Sequence, residues 1–115
     1  MNNNSNNMKA LYIVINAGFA EEVVELVRAK GAAGATIINA RGISSCHKEI
    51  MGISIDADKE MILTLTENET AEKIMETIKQ NYGFRSAAHG ICFTLPVTKT
   101  VGLSQNFSQL QDINK

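Results

Sequence analysis

Residues 9–16 read KALYIVIN, with Leu11, Tyr12, Ile13, Val14 and Ile15 in an unbroken run. β-Branched and aromatic side chains at this density predict a strand. A strand wetted on one face alternates apolar with polar positions, whereas this one is apolar towards both. Residues 60–66 (EMILTLT) read as another strand with much the same character from Met61 to Leu65. The sheet that contains both is therefore expected to be covered on its two faces.

The chain on either side supplies elements for only one of those faces. Residues 19–30 (FAEEVVELVRAK) place Ala20, Val23, Val24 and Val27 on one side of a helix, and Gly31 follows as its stop. Residues 35–41 (ATIINAR) form a second strand, and 42–58 read as irregular, with Gly42 and Gly52 among them. After the strand at 60–66, Asn68 or Thr70 is placed to cap a helix whose buried stripe is Ala71, Ile74, Met75 and Ile78, ending at Gly83. Residues 90–98 (GICFTLPVT) make a fourth strand, with Pro96 pointing to a strand end or an edge. The order predicts an α+β fold: a ferredoxin-like βαββαβ sandwich, one antiparallel four-stranded sheet with two helices on one face. No element is left for the other face, so an oligomer that packs sheet faces inward is expected.

Composition sets the frame for this reading. The chain has 115 residues, with 11 Lys+Arg against 12 Asp+Glu, a formal net charge of -1, and 44% hydrophobic residues. One domain with a modest core fits that length, and self-association is a natural way to bury more. The balanced charge offers no basic field for nucleic acid, and no apolar run is long enough to span a bilayer. Two cysteines are too few for a disulfide scaffold. The polar start lacks the apolar segment of a signal peptide, so a cytoplasmic protein is expected. Residues 1–8 are read as a disordered tail, 9–104 as the domain and 105–115 as a polar tail. In that last tail Phe107, Leu110 and Ile113 recur at three-residue steps.

Several segments together resemble the PII-like signal-transduction family over about residues 9–104. They are Gly34-Ala35-Thr36-Ile37-Ile38, Ala40-Arg41-Gly42, Lys59-Glu60-Met61-Ile62-Leu63 and, most specifically, Gly90-Ile91-Cys92-Phe93-Thr94-Leu95-Pro96-Val97. The last is similar to a divergent, short-looped branch of the family. The resemblance implies a homotrimer with sheets facing the threefold axis and an adenine nucleotide as effector in clefts between subunits. It also implies a loop after the second strand that docks onto a transporter or enzyme, nitrogen regulation as the usual pathway, and no catalysis.

The same resemblance nominates site residues. Thr36 takes the place of a small hydroxyl residue near the adenine. Gly42, Ile43 and Ser44 stand where the family has Gly-x-Gly, so only the first glycine matches. Ala88-His89-Gly90-Ile91-Cys92-Phe93 stands where it has Gly-x-Gly-Lys-Ile-Phe: Gly90 allows close backbone approach to a ligand, while Ile91 replaces the lysine. Gly102 and Ser104 occupy the positions of two arginines. Arg41, Arg85 and His89 are the cations left to compensate, and Lys59 joins the ligand-binding set. Each missing charge-assisted bond costs ~1.5–3 kcal/mol, which favours AMP, a cyclic nucleotide or a small metabolite as much as ATP. The loop at 43–58 contributes Ser45, His47, Ile50 and Met51 as partner-binding residues; its apolar members, Ile50, Met51, Ile53 and Ile55, suit a hairpin or a docking tip. It has no Tyr, so the uridylylation of some relatives has no acceptor here.

Two other constellations carry candidate chemistry. Cys46, His47, His89 and Cys92 are soft ligands, but Cys46 and His47 are adjacent and give poor bite, and Cys92 reads as a small buried hydrophobe. Asp56, Asp58 and Glu60 share one side of an extended segment, as a solvated loop edge also would. No metal site and no catalytic residue is assigned. The rival readings are a metal-binding protein using His47, His89 and Cys46, and a small enzyme on the same fold.

Overall fold

The computed structural model describes residues 7–42, 49–50, 53–54 and 57–102. Its elements are β1 (Met8–Asn16), α1 (Ala20–Ala29), β2 (Thr36–Gly42), β3 (Glu49–Ile50), β4 (Ile53–Ser54), β5 (Ala57–Glu67), α2 (Asn68–Asn81) and β6 (Ile91–Pro96). The main sheet has the order β2-β5-β1-β6, and every neighbouring pair is antiparallel. With one helix after β1 and one after β5, this is the expected ferredoxin-like sandwich. The two apolar strands of the sequence, β1 and β5, are its centre.

The helix-covered face is the core. Leu11, Ile13, Ile15 and Ile62 are wholly buried against Val23, Val27, Ile74 and Ile78. Acidic Glu21 and Glu22 begin α1 and Arg28 lies in its last turn, which suits the helix dipole. Gly31 follows with φ 121°, a left-handed position that glycine takes at little cost. The Ala32 amide then donates to the Val27 carbonyl at 3.2 Å.

Three local readings change. The helix read over 19–30 spans Ala20–Ala29, so Phe19 lies before it without a capping side chain, and a carboxylate from a strand, that of Glu60, serves instead. In α2 neither Asn68 nor Thr70 caps, because the helix already includes both and Glu67 is the extended residue before it. β5 starts at Ala57, and the segment read as irregular contains a short hairpin, Glu49 opposite Ser54 and Ile50 opposite Ile53. Pro96 satisfies both of its readings, as the last residue of β6 on the sheet's edge.

The opposite face carries no element among the described residues. Its side chains form rows across the sheet, set by the register: Leu65, Ala10 and Leu95; then Thr36, Leu63, Tyr12 and Phe93; then Ile38, Met61, Val14 and Ile91. Tyr12 and Phe93 stack with ring centroids 5.1 Å apart. Along β6 the apolar side chains of this face stay in water, with Ile91 53%, Phe93 43% and Leu95 49% exposed. An apolar face of this extent on a small domain marks an interaction surface.

Candidate functional site

The next row along the bare face changes chemistry. Ala40, Lys59 and Asn16 lie side by side on β2, β5 and β1, and Asn16 meets the loop 83–90 that leads into β6. The Lys59 ammonium donates to the Asn16 side-chain oxygen at 2.7 Å. The Asn16 amide nitrogen in turn donates to the Ala87 carbonyl at 2.9 Å, and the Asn16 backbone amide to the Ala88 carbonyl at 2.8 Å. The stem of Lys59 runs over Gly42, where a Cβ would stand 2.9 Å from Cε. One hydrogen-bonded chain thus joins the start of β5, the end of β1 and the loop before β6, and packs on the end of β2.

The loop 83–90 is folded by its own backbone. The Ser86 amide and hydroxyl both donate to the Gly83 carbonyl, at 2.9 and 2.8 Å. The His89 amide donates to Ser86, and the Gly90 amide to Tyr82 at 2.8 Å. Gly90 is buried, and a Cβ there would lie 2.5 Å from the Tyr82 carbonyl oxygen and 3.0 Å from Ile15. The close approach at this glycine is therefore to the protein's own backbone. His89 sits at φ 51°, uncommon for a side-chain-bearing residue, with its ring 4.1 Å from that of Phe84. Phe84, Arg85 and His89 are all exposed at this end of the molecule.

Of the nominated ligand residues, the structure brings Gly42 and Lys59 into contact, and Lys59 reaches through Asn16 to the loop that carries Arg85, His89 and Gly90. Arg41 lies opposite Asp58 one step along β2. Thr36 is at the other end of β2, four residues from Ala40, roughly 13 Å away at the rise of a strand. Ile91 belongs to the apolar row with Val14. Gly102, at φ 88°, is exposed. Ile43, Ser44, Ser45, Cys46, His47, Met51, Asp56 and Ser104 lie outside the described residues, and Ile50 is described only as part of β3.

Glu60 is engaged by the backbone at the start of α1. Its Oε1 accepts the amides of Gly18 at 2.9 Å and Ala20 at 3.3 Å, and so caps α1 from β5. Cys92 packs on the core beneath α2, where burial pushes its thiol above the usual value. A groove of about 410 Å³ beside it is lined by Glu72, Met75, Glu76, Lys79 and Cys92. Among the described residues no three His, Cys, Asp or Glu side chains stand close enough to hold a metal ion. Partial burial, then the Glu22 carboxylate to which it hydrogen-bonds, pushes the Tyr82 phenol up. Asn16 and the capping role of Glu60 had no local signal in the sequence: their partners are more than 39 positions away.

Sheet order and helix placement define a ferredoxin-like α+β domain. The family model described as nitrogen regulatory protein P-II matches residues 8–106, and the chain belongs to that family of regulatory proteins. Among solved structures it is similar to GlnK of B. subtilis in its ATP complex, at 18% identity and a TM-score of 0.64, over 82% of this chain and 84% of that one. A protein from Thermus thermophilus described as PII-like and signaling shares 24% identity over 76% of this chain and 86% of its own, at a TM-score of 0.57. CutA from Synechococcus elongatus has the same fold at 13% identity and a TM-score of 0.58, covering 79% of this chain and 77% of that one. No curated protein matches the chain. Among the described residues no helix is long and apolar enough to cross a membrane.

Proposed function

We propose that this P-II family member is a cytoplasmic, non-enzymatic homotrimer that binds a small effector, an adenine nucleotide, in clefts between subunits. The loop at 43–58 then reports occupancy to a protein target, a transporter or an enzyme, with nitrogen control as the pathway that family membership favours. One observation carries the reading: the apolar face of the sheet ends in the polar row of Lys59 and Asn16 beside the loop 83–90. If copies of the chain bury that face against one another, this row falls at the rim of the interface, where a ligand can touch two subunits. The ATP bound by the similar GlnK of B. subtilis supports a nucleotide as the effector.

The charge of the effector is set by what this rim lacks. Ile91 stands where classical members carry lysine and faces the apolar row, and Gly102 and Ser104 stand where they carry arginines. Lys59, Arg85, Arg41 and His89 are the cations that remain, which favours AMP or a cyclic nucleotide as much as a triphosphate. For a signal, the effector must bind one arrangement of the loop more tightly than another. Thermal unfolding in the presence of AMP, ADP, ATP and cyclic AMP tests the reading. A ligand at a hundred times its Kd stabilises the folded state by ~2.7 kcal/mol and raises the melting temperature. If none of the four raises it at millimolar concentration, the nucleotide reading fails.

A further inference from the structure

Lys59 is held by a neutral partner. Its ammonium donates to the side-chain oxygen of an amide, Asn16, at 2.7 Å, so the bond fixes the position of the charge without cancelling it. Asn16 is itself fixed from two sides, by its side-chain nitrogen on Ala87 and its backbone amide on Ala88. A lysine at the start of a strand ordinarily samples many rotamers, and ordering it on binding costs free energy. Here the stem is laid over Gly42, where a larger residue would collide with Cε, and the head is already anchored.

We infer that Asn16 is a positioning residue for an anionic group of the effector: it presents the Lys59 charge at the end of the apolar face, beside the loop 83–90. This rests on the proposed function and names the chemistry of its site. The ammonium has three donors and gives one to Asn16, leaving two for a phosphate or carboxylate oxygen. An aspartate at position 16 has nearly the same shape but neutralises Lys59. It also loses the donor to Ala87. The identity of this one side chain therefore decides whether Lys59 can receive an anion. Because the same amide grips Ala87, an anion that draws on Lys59 also pulls on the loop 83–90, which gives the site a direct link to the backbone before β6.

The test is a titration of the full, ¹⁵N-labelled chain with three probes: ATP, inorganic tripolyphosphate and uncharged adenosine. The expected result is that both anions shift the Asn16 side-chain amide and the Ala88 backbone amide, and that adenosine does not. Asn16→Asp should weaken tripolyphosphate ~10-fold or more, the loss of one charge-assisted bond, while Asn16→Ala weakens it only several-fold. Lys59→Met should match Asn16→Asp. Melting temperatures of the three variants, read without ligand, separate loss of the site from loss of the fold. If tripolyphosphate acts at these residues and ATP does not, the positioning role stands and ATP is excluded as the effector. If Asn16→Asp binds tripolyphosphate as tightly as the native chain, or no anion perturbs Asn16 and Ala88, the inference is overturned.

Discussion

The two faces of the sheet are built from the same strands and nearly the same residue types, yet they have opposite fates. Ile62 points under the helices and is wholly buried, while its neighbour Leu63 points the other way, into the row with Tyr12 and Phe93. Ile13 is wholly buried and Phe93, one strand over on the other face, is 43% exposed. The difference lies in what covers each face. One has α1 and α2; the other has nothing within the described chain. Hydrophobicity alone sets the need for cover, and connectivity decides which face receives it from the chain itself.

The largest effect is expected on the buried side of the sheet. Ile62→Ala should cost ~2–5 kcal/mol, seen as a lower midpoint in urea, whereas Leu63→Ala should cost the dissociated chain much less. Equal losses for the two in a dilute, monomeric sample would remove the distinction between the faces. Gly90→Val comes next. Its Cβ would meet the Tyr82 carbonyl, so we expect a loss of ~1–3 kcal/mol before any ligand is added. A fully stable Gly90→Val protein would show that the loop 83–90 can yield.

Smaller effects sharpen the picture. Glu60→Ala removes the acceptor for the Gly18 amide and for Ala20, the first amide of α1, and should cost ~0.5–2 kcal/mol, with faster hydrogen exchange confined to Gly18 and Ala20. No change in exchange there would remove Glu60 as the cap. The least effect belongs to Cys92 on the covered face. Burial raises its thiol in the folded chain, so the unfolded chain ionises first as the pH rises. This contribution to stability is fully present below the unfolded thiol's pKa and is lost as pH climbs through the raised, folded value. A Cys92→Ala variant should show a flatter fall in stability over that alkaline range; an identical fall would assign it to other groups.

These residues also explain what could be read from the sequence. β1 and β5 were legible because continuous apolar runs mean burial on two sides, and the helices because their stripes repeat with the helical period. The short hairpin β3–β4 falls in a stretch where Gly52 and scattered isoleucines give no lasting period, and β5 begins three residues before Glu60 because pairing with β2 extends it over Ala57 and Asp58. The site was half legible. Family resemblance pointed to Gly42, Lys59, Arg85, His89 and Gly90, but Asn16 ends a strand like any polar residue, and only the fold carries it to Lys59 and Ala87. Glu60 looked like one of three clustered carboxylates and is a helix cap from a distant strand. The crowding of Gly90 by Tyr82 is likewise a contact between elements, invisible to local pattern.

If the uncovered face is where copies of this chain meet, the native protein is an oligomer. Size-exclusion chromatography with light scattering on the native protein tests it most directly, with Leu95→Asp, a charge placed among the exposed side chains of β6, as the companion sample. The expected result is a mass of three subunits for the native chain and a smaller, folded species for the variant. A native protein that runs as a clean monomer at micromolar concentration would contradict it.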